Sequence, residues 1–331
     1  MTRGASAMQL SQVVLGLVLV FSGSRVSALK ICTFNIQSFG EKKMEKPEVV
    51  EVIVDLIVRC DIMLVMEIKD AGGKAFPQLM TQLNSHYISK KNEYSYVISD
   101  RLGRKSYKEQ YAFVYRTKQV TVKEVYQYPD TQPGDQDAFS REPFVVWFSS
   151  PKTAVQDFVI IPIHTTPETS VKEIDELYDV FQDIKKRWSS ENVIIMGDFN
   201  AACGYVPKKQ WGSIRLRSDS SFLWLTGDTL DTTVKESTDC SYDRIVLHGD
   251  QMIQAVNPSS LDVFNFRQAY GLSELQVQPQ LVPLYLLHII SHSLSFLSQS
   301  LSPSLTLLGE ICNSFNLPFN SLFMSYFLCC V

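Results

Sequence analysis

The sequence predicts an α/β fold in which mixed sheets are covered by helices, a layered sandwich, on three observations. Strand-like apolar runs alternate with amphipathic helical stretches. Asn35, Glu67, His164 and Asp198, and Asp243 of Cys240-Ser-Tyr-Asp243, each follow or close such a run. No repeat or low-complexity block divides the 331 residues, whose apolar content supports a full core in one large or two smaller domains.

The elements follow in chain order. The run Leu29-Lys-Ile-Cys-Thr-Phe-Asn35 closes on an amide. Residues 47–60 place Val49, Ile53, Leu56, Ile57 and Cys60 on one helical face, with Pro47 tolerated in the first turn. The strand Ile62-Met-Leu-Val-Met-Glu67 comes next. Residues 94–98, 111–115, 120–126 and 144–148 are rich in aromatic and β-branched residues, as neighbouring strands are. A strand over 157–164 ends on His164. Ser170-Val-Lys-Glu173 reads as a capping box opening a helix whose Ile174, Leu177, Tyr178, Phe181 and Ile184 share a face. Val193 to Met196 read as a strand buried on both faces, and Gly197 turns the backbone so that Asp198 and Asn200 emerge at the sheet edge.

The N-terminus carries Arg3, an apolar run from Val13 to Phe21 and Val26-Ser27-Ala28, the pattern of a cleaved signal over residues 1–28. The run is too short for a spanning helix, so no stable membrane partner is expected. Entry to the secretory pathway, through the endoplasmic reticulum to the outside, makes disulfides the expected fate of cysteines. Of the seven, Cys203 and Cys240 are the natural pair, since a bridge would tie two site-bearing loops and stabilise by roughly 4 kcal/mol. Cys32 and Cys60, in apolar periodic segments, read as buried free thiols. The net charge of -4 argues against indiscriminate grip on nucleic acid. A local patch of Arg101, Arg104, Lys105 and Lys108 around Gly103 and Tyr107 could track a phosphate backbone, or simply be a solvated loop.

Asn35, Glu67, Asp198, Asn200 and Asp243, with His164 nearby, suit a hard divalent cation and a phosphate ester better than zinc or a nucleophilic triad. A phosphodiester resists hydrolysis because its charge repels water and its alkoxide leaves poorly. A cation and two proton-transfer groups answer both problems, and His164 is the best single candidate for one of them.

These residues stand in motifs that resemble the secreted deoxyribonuclease I family, within the endonuclease/exonuclease/phosphatase superfamily. The motifs, in the family's order between Leu29 and Ser273, are Lys30-Ile-Cys-Thr-Phe-Asn-Ile-Gln37, Glu67-Ile-Lys-Asp70, the block from Leu102 to Tyr111, Ser140-Arg-Glu-Pro-Phe144, Ile163-His-Thr-Thr-Pro-Glu168, Met196-Gly-Asp-Phe-Asn200 and Cys240-Ser-Tyr-Asp-Arg-Ile245. The resemblance implies a four-layered α/β sandwich of two packed mixed β-sheets flanked by helices. It implies Glu109 and His164 as a hydrogen-bonded catalytic pair, and Asn35, Glu67, Asp198, Asn200 and Asp243 around metal and scissile phosphate. It implies Lys69 and Tyr107 in the minor groove of double-stranded DNA, Arg141 as a phosphate contact, and a Cys203–Cys240 disulfide. Mg²⁺, supported by Ca²⁺, would yield 5′-phosphate and 3′-hydroxyl ends, and the enzyme would be a monomer. Minor-groove reading carries little base information, so cutting would be nearly sequence-independent.

Two departures accompany the resemblance. The loop over 131–138 lacks the small cysteine-closed loop of deoxyribonuclease I itself, as in the deoxyribonuclease-like branches, the gamma type above all. The family's Ser-Asp-His tripeptide, which runs into a last core strand, is also absent after Tyr270-Gly-Leu-Ser273. From Gln276 onward Ser, Leu and Phe dominate, Glu310 is the only charged residue, and Pro283, Pro303 and Pro318 interrupt the apolar runs. Residues 276–331 therefore read as a foreign tail, of the kind a retained intron gives, outside a domain over 29–275 that has lost its last strand. His288 and His292, which lack a preceding aspartate, read as incidental. A chain so altered is expected to be a weak or inactive nuclease. The alternatives are a noncatalytic DNA-binding protein, or another phosphodiesterase such as a sphingomyelinase or inositol phosphatase. The blocks Tyr107-Lys-Glu-Gln-Tyr111 and Ser140-Arg-Glu-Pro143, with the Cys203/Cys240 pair, favour the nuclease over the last of these.

Overall fold

The computed structural model describes residues 28–89, 93–131, 137–233 and 237–273, and the backbone of a strand at Leu284–Ile289. The expected signal segment up to residue 27 and the tail from residue 290, with His292, lie outside the described residues, as does most of the 131–138 loop.

Among the described residues, twelve strands form two six-stranded sheets. The first contains β1 (Leu29–Phe39), β2 (Ile62–Ile68), β3 (Tyr94–Ile98), β4 (Gln110–Arg116), β11 (Asp262–Phe264) and β12 (Leu284–Ile289), in the order β11-β12-β1-β2-β4-β3. The second contains β5 (Thr121–Gln127), β6 (Phe144–Ser149), β7 (Asp157–His164), β8 (Val193–Asp198), β9 (Phe222–Trp224) and β10 (Asp243–His248), in the order β5-β6-β7-β8-β10-β9. Each sheet has one parallel pair, β1 with β2 and β7 with β8. Parallel neighbours need a long crossover. Helix α1 (Pro47–Ile57) supplies the first, and α3 (Ser170–Trp188) the second. A further helix, α2 (Ala75–Ser85), follows β2.

Strand alternation builds the layers. Ile31, Leu64 and Met66 of the first sheet meet Phe148, Ile160, Ile194, Met196 and Ile245 of the second in a central core. The opposite face of the first sheet, with Phe34 and Val65, packs against Ile53, Leu56, Leu79 and Leu83 of α1 and α2. The outer face of the second, with Val159, Ile161 and Ile195, packs against Ile174, Leu177 and Phe181 of α3. The result is the expected helix, sheet, sheet, helix sandwich.

Four expectations need correction. Cys32 and Cys60 are not free thiols but a disulfide, with Cα atoms 6.1 Å apart. Both are buried as expected, but the parallel crossover returns the chain beside its start: the Asp61 amide donates to the Lys30 carbonyl at 2.8 Å, and Cys60 lands against Cys32. The Cys203–Cys240 bridge is present as expected. Ser170 does not cap α3, whose N-cap position is Thr169 without a side-chain cap hydrogen bond. Glu173 is fully buried instead, accepting from the Thr166 amide and the Thr169 hydroxyl. Asp243 does not close an apolar run but opens β10.

The fourth concerns the last strand, which was expected to be missing. The backbone of Leu284–Ile289, inside the tail, lies antiparallel between β1 and β11. Six residues of regular pairing to β1 need only an extended chain without proline, and the stretch after Pro283 offers one.

Removing the newly found bridge, by Cys32→Ala with Cys60→Ala, deletes a crosslink over 28 positions. Loop entropy sets the expected loss at about 3–4 kcal/mol, read from urea unfolding of the oxidised protein and the double variant.

Candidate active site

The topology explains why the polar strand ends converge. β1 and β2 run parallel, and their regular pairing breaks after Asn35 and Met66, which sets Asn35 and Glu67 side by side; β4 is antiparallel to β2, so its start, with Glu109 just before it, lies at the same edge. In the second sheet β7 and β8 end together, with His164 paired to Asp198, and antiparallel β10 begins there, with Asp243 paired to Asp198. Packing the sheets face to face brings the two edges into one cleft. Asn35, Glu67, Tyr107, Glu109, Arg141, His164, Asp198, Asn200 and Asp243 all line it.

Two of these residues are held in left-handed backbone conformations, Glu67 at φ 60° and Asn200 at φ 47°. A side-chain-bearing residue pays for that conformation with about 1–3 kcal/mol, and such outliers cluster at functional sites. At Gly197 (φ 139°) a Cβ would stand 2.1 Å from the Ile163 carbonyl oxygen, so only glycine lets β8 pass β7 and deliver Asp198.

Hydrogen bonds cross between the sheets. Asn35 Nδ2 donates to Glu67 Oε1 at 3.0 Å and to Asp198 Oδ2 of the other sheet at 3.4 Å. His164 Nδ1 lies 2.9 Å from Glu109 Oε2, and Nε2 lies 3.8 Å from Asp198 Oδ2. The carboxylate accepts the Nδ1 proton, which leaves Nε2 for the cleft. Asn200 Nδ2 donates to the Thr165 carbonyl at 3.0 Å, and its backbone amide donates to Asp198 Oδ1 at 3.1 Å. The Thr232 hydroxyl accepts from the amides of Tyr242 and Asp243 and so fixes the start of β10.

Burial and the Arg141 charge oppose protonation of His164, but the hydrogen bond and charge of Glu109, with the charge of Asp198, outweigh them and raise its pKa above the ordinary 6.5. Burial likewise opposes the Glu109 carboxylate, yet His164, Arg141 and the Tyr107 hydroxyl hold its pKa down at about 2. Burial, and then the Asp198 charge, push Asp243 well above the usual carboxylate range. Carboxylates facing one another in this way, beside two side-chain amides, form the oxygen-rich donor set that a hard divalent cation fits.

Arg141, 8 % exposed, donates from Nε to the His164 carbonyl and from Nη2 to the Thr165 carbonyl, both at 2.8 Å, with Nη1 3.4 Å from Glu109 Oε1. It braces the Glu109–His164 pair as well as lining the cleft. Lys69 Nζ lies 3.3 Å from Glu67 Oε2 and 3.9 Å from the centre of the Tyr107 ring, which is itself 54 % exposed. Within the expected basic patch, Arg104 donates to the carbonyls of Asp137, Ala138 and Phe139, and Lys108 to that of Gly103, so these two serve the loop. Sequence reasoning missed Thr232 and the Tyr205–Tyr242 ring pair, 5.5 Å apart at the rim; the tyrosines' places two residues after Cys203 and Cys240 were the available signal. It also missed Asp130, Asp137 and Glu142, whose ligand atoms lie within 4.8 Å of one another outside the cleft.

Comparison with known proteins decides the family. Residues 32–260 match the model of the endonuclease/exonuclease/phosphatase family. The chain is 60 % identical over 259 residues to human deoxyribonuclease gamma, covering 78 % of this chain and 84 % of that protein. The chain belongs to the deoxyribonuclease I family. Within that family it lies on the gamma side, since rabbit (Oryctolagus cuniculus) deoxyribonuclease-1 is 47 % identical over 82 % of this chain and 95 % of its own length. A Bacteroides vulgatus endonuclease/exonuclease/phosphatase structure, 13 % identical, aligns over 80 % of this chain and all of its own with a TM-score of 0.53, which shows that the two share a fold.

The Glu109–His164 pair predicts a pH dependence. A raised imidazole pKa stabilises the fold fully below about pH 6.5, and that contribution is lost as pH rises through the folded value. Glu109→Gln removes the partner. The His164 ring titration followed by NMR should move down, and the thermal midpoint should fall more at pH 6 than at pH 9.

Proposed function

We propose that this chain is a secreted, divalent-metal-dependent DNA endonuclease by design, with one proton-transfer group missing. The observation that carries the reading is the convergence of Glu109 and His164 with Asn35, Glu67, Asp198, Asn200 and Asp243 in one cleft, in a chain 60 % identical to human deoxyribonuclease gamma.

Asn35, Glu67, Asp198, Asn200 and Asp243 would hold Mg²⁺, which when bound neutralises charge building on the phosphate oxygens. His164, its Nδ1 proton held by Glu109, presents Nε2 to the cleft. With its pKa raised it is suited to give a proton to the departing 3′ oxygen, leaving 5′-phosphate and 3′-hydroxyl ends. Glu109 and Arg141 orient the imidazole. Lys69 and Tyr107, stacked at the rim, are placed to enter a minor groove, and Arg141 to meet a phosphate. The Asp130, Asp137 and Glu142 carboxylates offer the oxygen donors that a supporting Ca²⁺ takes. Two disulfides agree with secretion, and among the described residues no helix is long and apolar enough to cross a membrane.

A specific observation favours weak activity. β12 begins where Leu284 pairs with Phe34, one residue short of Asn35, and runs away from the cleft to pair His288 with Lys30. His288 is thus carried to the far end of β1 and cannot replace the family's histidine. The residues just before Leu284 are Leu281-Val282-Pro283, and the Ser-Asp-His that runs into the family's last core strand is not among them. Losing one member of an acid/base pair costs about 10² to 10⁴ in rate. The second reading is therefore a protein that binds duplex DNA in a salt-sensitive way and leaves it intact.

Nicking of supercoiled plasmid with Mg²⁺ and Ca²⁺ distinguishes them. Slow, EDTA-sensitive nicking that His164→Ala abolishes is expected. Binding without any nicking would establish the second reading, and nicking that survives both EDTA and His164→Ala would overturn the first.

A further inference from the structure

Lys43 is 7 % exposed, in the short helix Glu41–Met44, and the mechanism above does not use it. A buried ammonium persists only where hydrogen bonds replace its lost water. Its Nζ donates to the carbonyls of Ile36, at 2.8 Å, and Gln37, at 2.5 Å. Those carbonyls open the bulge of β1 that follows Asn35, a local turn of the backbone between the Asn35–Met66 and Phe39–Ile68 pairs. Gln37 (φ 48°) and Ser38 (φ 61°) are both left-handed there, a conformation that side-chain-bearing residues keep only when their surroundings impose it.

The same turn holds two of the expected metal ligands. The Gln37 amide donates to Asn35 Oδ1 at 2.9 Å. The Ser38 amide and hydroxyl donate to Glu67 Oε2 at 3.0 and 3.3 Å. Lys69 Nζ in turn donates to the Ser38 hydroxyl at 2.6 Å. Asn35 comes from β1 and Glu67 from β2, so the turn, beside their direct 3.0 Å hydrogen bond, fixes one donor against the other.

We propose that Lys43 is a positioning residue for the cation: by pinning the Ile36 and Gln37 carbonyls it keeps the turn left-handed, and the turn aims Asn35 and Glu67. The inference rests on the metal reading of the cleft. Groups that orient ligands without touching the metal typically carry about 10- to 100-fold in affinity.

The test uses Mn²⁺ as probe, followed by electron paramagnetic resonance on the oxidised chain, the cleft-bound signal being the one that Asp198→Ala removes. Lys43→Met should weaken that binding about 10- to 100-fold while keeping a cooperative melt in EDTA. Ser38→Ala should weaken it less, and the double variant should be no worse than Lys43→Met, since both act through one turn. If Lys43→Met loses its melt, Lys43→Gln, which keeps a donor, is read instead and should shift the same way by less. A folded variant with wild-type affinity, or additive effects of Lys43 and Ser38, overturns the inference alone. A parent chain that binds no Mn²⁺ in the cleft overturns the metal reading and this inference with it.

Discussion

The cleft depends on one buried junction between the two sheets, the Glu109–His164 hydrogen bond. Glu109 enters with β4 of the first sheet and His164 leaves with β7 of the second, so their 2.9 Å contact exists only if the sheets are packed in one register. Both groups are almost fully buried, and each would be costly there without the other. Arg141 compensates the Glu109 charge and ties down the carbonyls of His164 and Thr165. The Asn35–Asp198 hydrogen bond makes a second, weaker crossing at the same edge.

That junction explains why the donors need no dedicated scaffold. Parallel pairs end at one edge, antiparallel partners begin there, and two such edges packed together put oxygen donors from five strand ends within one cleft. The local strain at Glu67 and Asn200, and the glycine requirement at Gly197, lie at the points where strands leave the sheet to reach the site. The Cys203–Cys240 bridge ties the segment after Asn200 to the one before Asp243.

Much of this was legible in the chain because strand ends bearing Asn35, Glu67, His164 and Asp198 interrupt apolar runs, and periodicity reports such interruptions well. All the residues expected at the metal and the catalytic pair line the cleft. What periodicity could not report was return geometry. Cys32 and Cys60 each looked buried, and only the crossover through α1 shows that they meet. Asp243 looked like a strand end, whereas antiparallel pairing makes a strand start equally good for reaching that edge. Glu173 fitted a local capping pattern, but its carboxylate serves the loop around Thr166 and Thr169. Lys43 gave no signal, because its partners are backbone carbonyls.

The tail was misjudged in one respect and matters in another. Its composition is foreign to the domain, yet six of its residues complete the first sheet, since β pairing asks little of sequence beyond an extended chain. Filling a place in a sheet is not the same as supplying a proton-transfer group, and the proposed deficit lies in the residues just before β12. Single-turnover plasmid nicking by the chain carrying Leu281→Ser, Val282→Asp and Pro283→His, beside the parent, tests this most directly. The account predicts a rise of about 10² to 10⁴ in rate. An unchanged rate in a folded variant, or a parent that already cuts as fast, would contradict it.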